Sequence, residues 1–100
     1  MKILIPFDSD DLEEGQISPV SEAKSWLLFD MEEGKATNEK FYQTWEEIED
    51  FIDIVIVKNQ NEYVWPFMEK NIAILVAPMQ KYFEDIVEAY IFKELYDINI

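Results

Sequence analysis

Three short apolar runs mark the expected centre of the fold. They are KILIPF at 2–7, DIVIV at 53–57 and IAILVA at 72–77, and each is too short for a typical helix. Continuous runs of this length are typical of strands that are covered on both faces. Their β-branched residues favour the same structure. We therefore expect these runs to form the parallel centre of a sheet.

Two further strands are predicted between the first and second of these runs. SWLLFDME at 25–32 is largely apolar, and KATNEKFY at 35–42 is mostly polar. Gly34 stands between them and can supply the positive φ that a tight hairpin turn requires. The polar composition of the second strand places it at an edge of the sheet.

Three segments carry helical signals. Thr44 and Glu47 have the spacing of a capping box, in front of an apolar face formed by Trp45, Ile48, Phe51 and Ile52. In 61–71, Pro66 either lies near the start of a helix or bends it, and Asn71 can end it in a left-handed conformation.

The last helix is predicted over 81–95, and the tail YDINI at 96–100 receives no assignment. One apolar stripe defines this helix: Phe83, Ile86, Val87, Tyr90, Ile91 and Leu95.

These elements predict one domain over residues 1–100, of class α/β. The alternation of strands and helices in the second half implies right-handed parallel crossovers. The hairpin in the first half adds antiparallel strands. We expect a three-layer α/β/α architecture whose mixed five-stranded sheet has the order 3-2-1-4-5.

Composition narrows the possible chemistry. The chain has no cysteine and no histidine, which excludes thiolate and imidazole ligands, cysteine nucleophiles and serine–histidine triads. Eight basic and 22 acidic residues give a net charge of −14. Nucleic acid and anionic membranes should be repelled. The acidic surface serves either solubility or docking of a basic partner.

No run is apolar enough to span a membrane and the first residues do not resemble a signal peptide, so we expect a cytoplasmic protein.

Several strings resemble the dinitrogenase iron–molybdenum cofactor biosynthesis family. They are MKILIP at 1–6, Ser18–Pro19 before the second strand, WLLFD at 26–30, and ILVAPMQKYFEDIVEAYIFKEL at 74–95. The resemblance implies a NifX-like domain with a ribonuclease H-like fold and the binding of iron–molybdenum or iron–sulfur cluster precursors. Members usually continue Ser-Pro with His-Phe-Gly-Arg, whereas this chain has Val20–Ser21–Glu22. We therefore interpret the chain as a degenerate member at the cluster site.

Ligands of open α/β sheets bind at the carboxyl ends of the parallel strands, where the strand order reverses. The loops expected there are 8–11, 59–61 and 78–80, and they are either a functional surface or ordinary turns. With Ser18, they supply the candidate cofactor-binding residues: Asp8, Ser18, Asn59, Gln60, Met79 and Gln80.

Two of these positions invite a metal hypothesis. Five carboxylates lie in 8–14, but Leu12 and Glu13 break the calcium-loop pattern, so either a looser Mg²⁺ or Ca²⁺ site or a solvated loop is left. Met79 is either a soft metal ligand or a filler of apolar space. Asp8 also suggests a carboxylate-metal nuclease, but the chain has no basic groove for a polyanion.

Large apolar side chains cluster in Tyr63–Met68. They form either a thick aromatic core or an exposed surface for a partner or a homodimer. Two functions of different class are therefore predicted: a non-enzymatic carrier in metal-cluster assembly, with a protein partner from that process, or a protein-interaction module that keeps the fold without a cluster.

Overall fold

The computed structural model describes residues 1–98, which form a sheet with helices on both faces. The elements in chain order are β1 (Lys2–Phe7), a 3₁₀ turn (Val20–Glu22), β2 (Ser25–Glu32), β3 (Lys35–Tyr42), a 3₁₀ turn (Trp45–Glu47), β4 (Ile54–Val57), α1 (Trp65–Glu69), β5 (Ala73–Val76), α2 (Phe83–Ile91) and β6 (Tyr96–Asp97).

The sheet has the order β3-β2-β1-β4-β5-β6. β1, β4 and β5 run parallel, and the other neighbouring pairs are antiparallel. The predicted order 3-2-1-4-5 is therefore present, but the expected total of five strands is wrong. Tyr96 and Asp97 pair with β5 as a sixth strand. Two residues are too few to show a period in the sequence, so this strand gave no signal.

The side chains of the sheet supply two cores. Ile3, Ile5 and Phe7 of β1 face one side, where Ile86 of α2 is buried with them. Leu4 faces the other side, in the core that contains Trp26 and Phe67 of α1, and the partly buried Trp45 packs against this core. This alternation gives three layers, as expected for buried strands covered on both faces. The finer assignment to a ribonuclease H-like fold stays a prediction.

The hairpin turn between β2 and β3 confirms the expectation for Gly34. Its φ is +78° and that of Glu33 is +50°, so both central residues are left-handed. Two positive φ values are the pattern of the turn that matches strand twist. Further along β3, Asn38 has φ +56° beside a register shift between Leu28 and Asp30. This irregularity interrupts the exposed edge of the sheet.

The helix predicted from Thr44 is wrong. Only the 3₁₀ turn Trp45–Glu47 forms, and the Thr44 hydroxyl makes no capping hydrogen bond. Glu47 instead accepts a hydrogen bond from the Gln43 amide at 3.0 Å. The Asp53 amide donates to the Lys2 carbonyl, so the chain has already joined the sheet beside β1 at this residue. The segment is therefore held between β3 and the start of β4, and this tertiary constraint overrides its helical periodicity.

The other two helices are shorter than predicted. α1 has Pro66 in its first turn, which confirms the first alternative for that residue. Asn71 follows with φ +60°, as expected. α2 covers Phe83–Ile91 instead of 81–95, and Lys93 with φ +59° lies just beyond its end. A left-handed residue after a helix is a common termination, because it redirects the chain.

Candidate functional site

The strand order reverses between β1 and β4, because the chain first extends the sheet through β2 and later through β4. The loops that leave β1, β4 and β5 follow the carboxyl ends of parallel strands and therefore lie along one edge of the sheet. Residues 16–18 lie among them: Ile17 donates to the Lys81 carbonyl at 2.9 Å and Ser18 to the Pro6 carbonyl at 3.0 Å. We call the surface formed by 8–20, 58–62 and 77–82 the carboxyl-edge crevice.

Residues 8–15 form an acidic loop that is held by its own carboxylates. Asp8 Oδ1 accepts from the Gln16 amide at 2.9 Å. Asp11 Oδ1 accepts from the amides of Glu13 and Glu14, each at 3.0 Å. One oxygen of Asp8 and one of Asp11 therefore accept from backbone amides, which explains part of the acidic run without a metal ion.

Ser18 is buried at 5% exposure. Its hydroxyl donates to the carbonyl of Pro19 at 3.1 Å. Its backbone amide donates to the Pro6 carbonyl of β1. The residue therefore fixes the path of the Ser-Pro segment across the crevice.

Glu62 is the residue of this surface that sequence reasoning missed. Its Oε2 accepts from the amides of Lys58 at 3.1 Å and Asn59 at 2.9 Å. Its Oε1 accepts from the amide of Val20. The contacts with 58 and 59 are local and compatible with a polar turn. The contact with Val20 joins positions 42 apart, and no spacing rule predicts it.

The two predicted residues after β4 are both exposed but bond to different parts of the chain. Asn59 is exposed and its Nδ2 donates to Glu62 Oε2 at 3.4 Å. Gln60 is exposed as well, and its Nε2 donates to the Asp97 carbonyl of β6 at 3.4 Å. The loop after β4 is therefore tied both to the Ser-Pro segment and to the far edge strand.

The two predicted residues after β5 also differ. Met79 is 79% exposed, so it does not fill apolar space in the core. Gln80 is partly buried, and within residues 1–98 its Oε1 has neither solvent contact nor a hydrogen-bond partner. An unpaired buried acceptor is costly, because its hydration is lost without compensation. The acceptor of Gln80 is therefore unpaired but enclosed, and it is not presented on the surface of the crevice.

An acidic groove of about 630 Å³ lies between the acidic loop and the first turn of α2. Leu12, Tyr82 and Phe83 supply its apolar wall. Four carboxylates border it: Glu13, Glu14, Glu84 and Asp85. Despite this density of charge, no three acidic residues among 1–98 are arranged to hold a metal ion.

A second cavity, of about 440 Å³, lies away from this crevice. Met31, Leu75, Tyr90 and Leu95 are among its lining residues. Met31 donates its amide to the carbonyl of Met1, which precedes β1. The cavity therefore reaches the amino end of β1, opposite to the predicted site.

The aromatic residues of Tyr63–Met68 divide between core and surface. Phe67 is buried, with its ring centroid 4.8 Å from that of Trp45. Tyr63 and Trp65 are 70% and 58% exposed. A short helix cannot turn all its large side chains to one sheet face, so Phe67 belongs to the core while Tyr63 and Trp65 lie on the surface. The use of this surface by a partner or a homodimer stays a prediction.

Comparison with known proteins places the fold. No family model matches the chain, and no curated protein matches its sequence. A candidate dinitrogenase from Methanocaldococcus jannaschii superposes with a TM-score of 0.78 over 99% of this chain and 95% of that one, at 20% identity. A candidate NifB protein from Thermotoga, described as belonging to the DUF35 family, gives 0.77 over 99% and 94%, at 14% identity. The chain therefore shares the α/β fold of proteins described as nitrogenase-related.

None of the helices within residues 1–98 has the length and apolarity needed to cross a bilayer.

Proposed function

We propose that this chain is a non-enzymatic, cytoplasmic binding protein of metal-cluster assembly, degenerate at the site where its relatives in fold would hold a cluster precursor. The observation that carries the proposal is the carboxyl-edge crevice, which lies at the reversal of strand order in a fold shared with nitrogenase-related proteins. Ligand sites of open α/β sheets are found at this position.

The side chains available in the crevice limit what the cargo could be. Met79 would offer an exposed thioether, which is a soft ligand for a cluster metal. Gln80 would add its unpaired Oε1 only after a local opening of the loop that follows β5, because this atom has no solvent contact. The Ser18 hydroxyl and the Gln60 side-chain amide already donate hydrogen bonds to backbone carbonyls. With no thiolate or imidazole in the chain, Met79 would be the only soft metal ligand that the crevice offers to a cluster precursor.

Purification without oxygen, after expression with iron and molybdate, tests this proposal. We expect iron in the purified protein and an absorption band in the visible range. Met79→Ala should lower the iron content, whereas Met68→Ala, in the partly buried methionine of α1, should leave it unchanged. A colourless, metal-free protein that also takes up no extracted cluster precursor would contradict the proposal.

A second candidate is a protein-interaction module, and the acidic groove favours it. Four carboxylates beside an apolar wall complement a partner with basic residues around an apolar anchor. The exposed Tyr63 and Trp65 offer a further contact surface, either for that partner or for a homodimer.

Charge reversal separates this candidate from non-specific attraction. A specific basic partner should bind the Glu84→Lys variant more weakly than the unmodified chain, because Glu84 borders the groove. It should bind the Glu33→Lys variant as well as the unmodified chain, because that variant makes the same charge change in the hairpin turn. Equal losses would show that only the net charge is recognised. Size-exclusion chromatography of Trp65→Ala against the unmodified chain tests the homodimer.

A further inference from the structure

We propose that the backbone amides of Val20, Lys58 and Asn59 form an anion-binding nest, that Glu62 fills this nest as an internal ligand, and that a small carboxylate binds there once the Glu62 side chain is removed. In the intact chain Glu62 would thereby keep the nest closed to outside anions and hold two loops of the crevice together.

Both oxygens of the Glu62 carboxylate are engaged. Oε1 accepts from the Val20 amide, while Oε2 accepts from Lys58 N at 3.1 Å and Asn59 N at 2.9 Å. A fourth donor, Asn59 Nδ2, lies 3.4 Å from the same Oε2. The donors come from the Ser-Pro segment and from the loop after β4, and they converge on a single anionic group.

The site is built from neutral donors. Within residues 1–98 the ion pairs are those of the Met1 amino group with Glu32 and of Lys2 with Asp30, so no lysine nitrogen pairs with Glu62. Successive amides that point to one spot attract anions through their dipoles. Hydrogen bonds from amides to a carboxylate are also stronger than those to a neutral acceptor. Two oxygens that bridge two sets of amides match a small carboxylate such as formate or acetate.

The tether explains how a carboxylate can occupy this nest although the protein as a whole is strongly acidic. At a net charge of −14, a free carboxylate is repelled at long range. A tethered glutamate avoids that cost because its effective concentration at the nest is high. Without the tether, the open nest should bind formate only weakly, with a Kd on the order of tens of millimolar.

Glu62→Ala in sodium formate, compared with sodium chloride at equal ionic strength, is the test. Glu69→Ala is the matched control, because it removes the same charge from an exposed residue of α1. We expect Glu62→Ala to melt at a lower temperature than Glu69→Ala, and formate to recover part of that loss where chloride does not. In a ¹H–¹⁵N spectrum the amides of Val20, Lys58 and Asn59 should shift with formate in this variant alone.

A folded Glu62→Ala protein whose three amides ignore formate, or respond equally to chloride, overturns the proposal. If the variant is unfolded in chloride, refolding by formate supports the nest. If formate does not refold it, hydrogen exchange of the Glu62→Gln variant tests the proposal instead. Hydrogen exchange at Lys58 and Asn59 should then be faster than in the unmodified chain by roughly tenfold, since a neutral acceptor holds amides less strongly. Unchanged exchange there overturns the proposal.

Formate binding by the variant requires neither a cluster nor a protein partner. The nest can therefore exist whether or not the crevice carries metal, and metal uptake can fail without affecting the formate result.

Discussion

Gly15 lies where the acidic loop closes against the end of β1. A Cβ at this position would come 2.4 Å from the Asp11 carbonyl oxygen and 2.9 Å from the ring of Phe7. We expect Gly15→Ala to lower the free energy of unfolding by about 1–3 kcal/mol, the usual cost of overpacking. Chemical denaturation measures it.

Gly34→Ala is the control for this substitution. Gly34 has open space around it but a φ of +78°, so its replacement costs about 1 kcal/mol of backbone strain without any clash. A smaller loss for Gly15→Ala than for Gly34→Ala would show that the acidic loop yields and does not closely support the crevice.

Asp30 carries a pH-dependent contribution to stability. Hydrogen bonds from Lys2 Nζ at 2.6 Å and Asn38 Nδ2 at 2.8 Å lower the pKa of this carboxyl group from its usual 3.8. A carboxyl whose pKa is lower in the folded state stabilises the fold above the unfolded pKa and loses that effect as pH falls through the folded pKa.

The unmodified chain should therefore melt above Asp30→Asn at about pH 6, and the difference should shrink below about pH 4. Melting temperatures of both proteins across this range measure the effect. A difference that is constant with pH would mean that the partly buried ion pair with Lys2 contributes nothing to stability.

Single residues of the crevice could be predicted only as far as local chemistry reaches. Asp8 and Gln80 were identified because they follow buried strands. Glu62 was not identified, because its contact with Val20 depends on where two distant loops meet in the folded chain. Nor could the sequence reveal that Gln60 bonds to Asp97 of β6, because that strand was itself unassigned.

At the level of elements, α1 shows how a five-residue helix can serve both core and surface. Phe67 is buried between Trp26 and Trp45, with ring centroids at 6.0 and 4.8 Å. Trp65, two positions earlier, is 58% exposed. Phe67→Ala should cost about 3–5 kcal/mol through a lost aromatic contact and a cavity.

Trp65→Ala should instead change the free energy of unfolding by less than about 1 kcal/mol, as an exposed position allows. Denaturant titration of both variants checks this pair. Comparable losses would mean that Trp65 packs into the fold, and it would then no longer be available as a contact surface.

The strands were more predictable than the helices. KILIPF, SWLLFDME and the hairpin strand coincide with β1, β2 and β3, because each has enough residues to show its burial pattern. The segment 44–52 carries helical periodicity, yet Phe51 is 71% exposed and only a 3₁₀ turn forms in place of an α-helix. Its ends are fixed by Tyr42 in β3 and by β4, and this tertiary constraint overrides the local propensity.

At the scale of the whole molecule, the charge of −14 opposes the compact state. Salt screens this repulsion, with a Debye length that falls to about 10 Å at 0.1 M. We expect the melting temperature to rise between about 10 and 200 mM sodium chloride. A fall would mean that the few ion pairs, such as Lys2–Asp30, outweigh the repulsion among 22 acidic residues.

The central claim is that the carboxyl-edge crevice is the functional surface. A ¹H–¹⁵N spectrum, recorded without oxygen before and after addition of iron, sulfide and molybdate, tests it most directly. We predict that the amide signals of 8–20, 58–62 and 77–82 shift or broaden first. Changes confined to the lining of the opposite cavity, such as Met31, Tyr90 and Leu95, or no change at any amide, would contradict the claim.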